Sequence, residues 1–179
     1  ITMKKQILIV DGYNMIGFFP LLVRLKNQER LEDARDLLLK RLSSYAKYEG
    51  IEVIVVFDAQ LVPGVTQSYR KHHLEVIFTE EGTTADTYIE KMAGELNNVL
   101  TQVTVATSDL AEQWVIFSQG ALRVSARELY KLLEKNDKNI ENHQKELKFS
   151  HFRRNSPWDN EQLILLNQKL TELSQKKKK

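Results

Sequence analysis

Apolar residues follow two rhythms along the chain. Short runs at Gln6–Val10, Ile51–Phe57, Leu74–Phe78 and Val103–Ala106 have the length and branched side chains of buried strands. Between them apolar positions recur at helical spacing. In Glu29–Glu49 the stripe is Leu31, Ala34, Leu38, Leu42, Tyr45 and Ala46, and Gly50 supplies the stop. Thr83-Thr84-Ala85-Asp86 opens a helix to about Leu100 with a threonine as its cap, and another helix follows Asp109 through Phe117. Leu122–Val124 fits a short edge strand, after which Ser125 caps a long helix to about Leu147.

Polar stretches separate these elements. Leu61–His73 is a connection containing Pro63-Gly64, and Ser150–Asn155 reads as a loop. Ser156-Pro157-Trp158-Asp159 then starts a last helix, with Leu163, Leu166 and Leu170 on one stripe. Apolar strands alternating with amphipathic helices predict an α/β domain, its mainly parallel sheet covered by helices on both faces. That domain is expected over residues 3–149, with Met3 as the native start. A C-terminal helix and lysine-rich tail occupy 150–179.

Composition narrows the function classes. A length of 179 residues suits one domain with a proper core. The apolar runs are far shorter than the roughly 20 residues that a membrane span needs. Lys4-Lys5 leads straight into a strand, so no secretory signal is expected and the cytoplasm is the default address. With no cysteine, disulfides and thiolate metal sites are excluded. The net charge of +2 hides an asymmetry: residues 1–120 carry 12 basic and 16 acidic side chains, residues 121–179 carry 14 and 8. An acidic front and a basic rear suit a protein that holds cations in one place and phosphates in another, although an ordinary solvated surface has the same look.

The candidate chemistry lies with four aspartates. Asp11, Asp58 and Asp109 each stand at or just past the end of an apolar strand, and Asp86 stands in the first turn of a helix. In an open parallel sheet the C-terminal strand ends line one rim, where ligands gather. Carboxylates converging there repel one another by roughly 4 kcal/mol per pair about 4 Å apart at an effective dielectric near 20, and protons or a cation must relieve this. Oxygen ligands without cysteine favour Mg²⁺ or Mn²⁺ over zinc. Taken singly, Asp11-Gly12 reads equally well as a turn and Asp58 as a loop residue. Asp86 reads as a complement to its helix dipole, and Asp109 as a helix cap. No Asp-x-Asp nucleophile pair and no glycine-rich phosphate loop supports a small-molecule phosphatase or nucleotide hydrolase.

Val10-Asp11-Gly12-Tyr13-Asn14 resembles the opening signature of NYN domains, a branch of the PIN-like nucleases. Further segments follow in the order of that family's YacP-like bacterial group. They are Val55-Val56-Phe57-Asp58-Ala59, Val76-Ile77-Phe78-Thr79 with Thr84-Ala85-Asp86, and Ala106-Thr107-Ser108-Asp109 with Glu112-Gln113-Trp114. Gly120-Ala121-Leu122-Arg123 and Ser125-Ala126-Arg127-Glu128-Leu129 complete the set, over roughly residues 4–147. The resemblance implies a PIN-like three-layer sandwich and an endoribonuclease that cuts mRNA in the ribosomal A site. It makes Asp11 and Asp86 the principal catalytic carboxylates and lets Asp58 and Asp109 complete a metal-binding pocket. Asn14 then orients Asp11 or a metal-bound water, while Thr107 and Ser108 hydrogen-bond a phosphate or the metal's water shell. A catalytically silent RNA- or ribosome-binding adaptor with the same fold is the alternative.

Holding a strand across the rim requires cations. Arg70, Lys71, His72 and His73 form a basic cluster in the polar connection; Arg123 and Arg127, read as one helical turn apart, form a second clamp. Lys145, Lys148, Arg153 and Arg154 make a third basic stretch. Tyr13, Phe18, Phe19 and Tyr69 are either base-stacking aromatics or core. His72-His73 is not expected to be a metal pair, because adjacent residues of a strand point to opposite faces.

Overall fold

The computed structural model describes residues 4–58, 69–71, 73–155 and 160–176. Its sheet has six strands in the order β3-β4-β2-β1-β5-β6. They are β1 (Lys5–Asp11), β2 (Glu52–Phe57), β3 (Tyr69–Lys71), β4 (Leu74–Phe78), β5 (Thr101–Ala106) and β6 (Leu122–Val124). Five of these run parallel, and β3 alone is antiparallel, on the edge beside β4. The helices are α1 (Gly12–Phe18), α2 (Pro20–Asn27), α3 (Leu31–Glu49), α4 (Ala85–Leu96), α5 (Leu110–Ser118), α6 (Ala126–Asn155) and α7 (Asn160–Lys176). None among the described residues is long and apolar enough to cross a membrane.

The alternation of strand side chains builds two cores. Leu8 and Val10 of β1, with Val53, Val55 and Phe57 of β2, meet Met15, Ile16, Leu38, Leu42, Leu129 and Leu133 on one face. Ile7, Ile9, Ile54 and Val56 turn to the other face and meet Ile89, Val103, Val105 and Ile116. The result is the expected three-layer α/β sandwich, with helices α1, α3 and the start of α6 on one side and α4 and α5 on the other. Gly50 closes α3 in the left-handed conformation, φ +68°, as the sequence predicts.

Some elements depart from the sequence reading. The stretch from Gly12 to Asn27, to which the sequence assigns no element, is two helices, and Phe19 between them takes the core alternative, 1% exposed. Tyr69–Lys71 pairs with β4 instead of lying in a loop. α4 ends at Leu96 because Asn98 turns the chain, its Oδ1 accepting from the amides of Leu100 and Thr101. The loop expected at 150–155 is helix: nothing from Ala126 to Asn155 is proline or glycine, so α6 has no reason to stop. The chain divides into two compact units, Ile1–Asn136 and Asp137–Lys179; the second holds the rest of α6 and all of α7. The Trp158 segment lies outside the described residues.

Candidate active site

From β1 the chain moves outward through β2 to β4, then returns past β1 to β5 and β6. The segments leaving β1 and β5 therefore part to opposite faces: α1 packs in one core and α5 in the other. Neighbouring parallel strands whose exits diverge leave a crevice at their C-terminal ends. Asp11, the last residue of β1, stands at this crevice, and Thr107-Ser108-Asp109 leaves β5 beside it.

Asp11 is fixed by local geometry. It caps α1, its Oδ1 accepting from the backbone amide of Asn14 at 3.1 Å. Gly12 follows because nothing larger fits: a Cβ there would overlap the Cδ1–Cε1 edge of the Phe57 ring. Tyr13 then lies edge-on to Phe57, ring centroids 5.0 Å apart, and its hydroxyl accepts from Arg35 Nη1 at 3.2 Å. Asn14 reaches across the crevice, its Oδ1 accepting from the Ser108 amide at 3.0 Å. Asn14 thus acts through its backbone on Asp11 and through its side chain on the opposite wall.

Electrostatics shows which carboxylates meet. Burial raises the Asp11 pKa from 3.8 to about 6, the Asn14 amide opposes the rise, and the charges of Asp86 and then Asp109 add to it. Asp11 is only 8% exposed, so desolvation dominates. The Asp86 pKa is also raised, by burial first and then by Asp109 and Asp58. Asp58, one residue past β2, raises the Tyr13 pKa as well, after the larger effects of burial and of Arg35. Asp11 and Asp86 therefore feel acidic charges that reach them from the other βα junctions. Asp86 takes its place from α4, whose cap Thr84 accepts from the Thr87 amide at 3.2 Å.

Hydroxyls build the far wall. Thr107, fully buried, accepts from the Asp109 amide at 3.1 Å through Oγ1. Ser108 Oγ accepts from the Ala126 amide at 3.0 Å, tying the loop to the start of α6. As acceptors, both hold Asp109 and the loop in place. Ser125 and Glu128 form a reciprocal cap on α6: each backbone amide donates to the other's side chain, at 2.8 and 3.2 Å.

The basic residues distribute differently. Arg70 aligns with Glu75 near the start of β4 and pairs with Glu52 at 3.4 Å, at the start of β2. It therefore lies toward the rim opposite Asp58, and Lys71 aligns with Leu74 at that same end. His72 lies outside the described residues. Arg123 is on β6 and Arg127 on α6, so they are not one helical turn apart; a strand, a cap and a helix start intervene. Arg123 is at the crevice end, its Nη1 donating to Gln113 Oε1 at 2.8 Å, while Gln113 Nε2 donates to the Thr107 carbonyl at 2.8 Å.

The sequence reading placed Trp114 in a family segment and Phe117 at a helix end but gave neither a role. Buried Gln113 and Ile116 mark the inward stripe of α5, and this aromatic pair, three residues apart, lies out of phase with it. Arg35 was also missed, since nothing local links it to Tyr13.

A family model described as a YacP-like NYN domain matches residues 8–171, running into α7 and so beyond the segments legible in the sequence. The YacP protein of Bacillus subtilis strain 168 is 54% identical over 136 residues, spanning 76% of this chain and 79% of its own. A crystal structure of Rae1 (YacP) from Bacillus subtilis superposes with a TM-score of 0.72 at 45% identity, covering 96% of this chain and 94% of that one. A tryptophan-to-leucine variant of the same protein gives 0.71 at 49% identity, covering 82% and 84%.

Proposed function

Since the chain belongs to the YacP-like NYN family, whose domains are nuclease-like, we propose that it is an endoribonuclease cutting at the crevice of Asp11, Asp58, Asp86 and Asp109. The observation that carries this reading is that Asp11 and Asp86 are both raised, first by burial and then by acidic charges from the other junctions, Asp11 to about 6. Holding like charges together in this way destabilises the fold, and a site that binds a cation and turns over phosphodiesters gives the arrangement a use.

The donor set suits Mg²⁺ or Mn²⁺: the four rim carboxylates are hard oxygen donors, and the chain has no cysteine. Among the described residues no three acidic or histidine side chains are grouped to hold one ion directly. Mg²⁺ commonly keeps several waters and takes one or two carboxylates, which this rim can offer through Asp11 and Asp86, with Asp58 and Asp109 around them. Bound there, the ion supplies Lewis-acid polarisation of the phosphate and a more acidic water. The chain's own groups do the rest. Asp11, pushed up to about 6 by burial and the neighbouring acids, gains most from a cation at the rim, which would relieve its charge. Asn14 and Ser108 hold the two walls at a fixed spacing.

The substrate in this reading is mRNA, and the resemblance to ribosome-associated members extends it to strands presented in the A site. An acidic crevice repels free RNA, and Arg70 lies toward the other rim, engaged with Glu52. Positioning supplied by the ribosome would replace affinity that the crevice lacks. Asp11→Asn and Asp86→Asn are expected to abolish cleavage in a translating extract, read by mapping RNA ends, while circular dichroism stays native. Unchanged cleavage in both variants would remove the assignment. The second reading is a silent RNA- or ribosome-binding adaptor of the same fold, against which the retained acidic rim argues, since a pure binder gains nothing from repelling phosphates. Identical RNA ends with and without the protein would establish that reading instead.

A further inference from the structure

Where β6 closes the sheet, α5 turns Trp114 and Phe117 to solvent, 74% and 65% exposed. Three residues apart, they share one helix face. A cavity of about 280 Å³ opens against them, lined by Gln113, Trp114, Phe117 and Arg123. Its size lies just below the range of about 300 to 1,000 Å³ usual for ligand pockets, and suits a single planar ring system. Gln113 is buried, and both ends of its amide are used, by Arg123 and by the Thr107 carbonyl. The amide orients the guanidinium, and the Glu128 carboxylate at the start of α6, whose pKa Arg123 helps to lower, offsets part of its charge.

Two aromatic faces beside an oriented cation match a nucleobase and its phosphate. The location fits as well. Val124, next to Arg123, accepts from the Thr107 amide at 3.0 Å, and Thr107 positions Asp109. A strand entering an acidic crevice needs a cation at its edge, and Arg123 is at that edge. We propose that this cavity is a base-binding subsite for single-stranded RNA flanking the cleavage crevice, with Trp114 and Phe117 stacking on an unpaired base and Arg123 holding the adjoining phosphate. The proposal rests on the nuclease reading, since it describes how the same site holds its strand. A single strand is specified because paired bases have no free face to offer.

The full-length Trp158→Phe variant has Trp114 as its sole tryptophan. Titrated with single-stranded oligoadenylate at low salt, its emission is expected to be quenched; an abasic ribose-phosphate strand of equal length should quench little. Trp114 is exposed, so Trp114→Ala leaves the core intact, and it should weaken oligoadenylate binding by roughly tenfold, measured by anisotropy of a labelled strand. Arg123→Gln should weaken binding and flatten its salt dependence. Absence of quenching, or unaltered affinity in Trp114→Ala, overturns the subsite. So does a Trp114→Ala variant that loses ribosome binding while its RNA affinity is unchanged, which would make the patch a protein dock. Identical RNA ends with and without the protein, with quenching intact, would instead remove the nuclease reading and leave the subsite standing.

Discussion

Asp11 sets a stability trade-off at the scale of one residue. Its folded pKa of about 6 lies above the ordinary 3.8, so between those values the folded chain binds more protons than the unfolded one. Stability from this group is therefore present below pH 3.8 and lost as pH rises through about 6. The full loss is about 3 kcal/mol. Asp11→Asn keeps an oxygen to cap Asn14 but removes the buried charge. It is expected to raise the melting temperature at pH 8, with the gain shrinking toward pH 4; thermal denaturation across that range checks the sign, and a gain that does not vary with pH refutes the cause. Gly12 sets a steric limit beside it. Gly12→Ala drives a methyl group into the Phe57 ring and should cost roughly 1–3 kcal/mol in chemical denaturation. Phe57→Leu should recover part of that loss in the double variant, because the two sites share one volume.

At the scale of elements, the crevice is legible where the signal is local and hidden where it is not. An apolar run followed by aspartate marks β1 and β2, and Thr84-Ala85-Asp86 marks α4, so the acidic rim can be read from the chain. α1 cannot: two glycines in seven residues give it poor intrinsic propensity, and it stands on the burial of Met15 and Ile16 and the Asp11 cap. α2 did carry a signal in Pro20 at its first position. The short β3 exists through pairing with β4, a contact outside its own sequence, and with it goes the placement of Arg70. The Asn14–Ser108 bond is equally remote, joining residues 94 positions apart. It links the β1–α1 and β5–α5 junctions, so Asn14→Ala should lower kcat while costing only about 0.5–1.5 kcal/mol of stability. Asn14→Asp keeps an acceptor for the Ser108 amide and should retain part of the rate. Equal loss in both variants would assign the effect to added negative charge or to Asn14 itself rather than to the tie.

The whole molecule couples its fold to cations through this rim. Protons and a divalent ion are alternative ways to relieve the same repulsion, so they should compete. A ligand that binds only the folded state at a hundredfold excess over its Kd adds about 2.7 kcal/mol, several degrees in melting temperature for a domain of this size. Mg²⁺ or Mn²⁺ is thus expected to raise the melting temperature of the native chain at pH 8, and to do so less at pH 5, where Asp11 is protonated. Sodium chloride at matched ionic strength separates specific binding from screening. Asp11→Asn and Asp86→Asn should each lose most of the divalent shift. Chelation should return the native chain to its starting temperature without unfolding it, because the two cores hold the sheet independently of any ion. Equal divalent shifts in native and variant chains would place the cation elsewhere on the acidic front, and the crevice would then have to relieve its repulsion by protons alone.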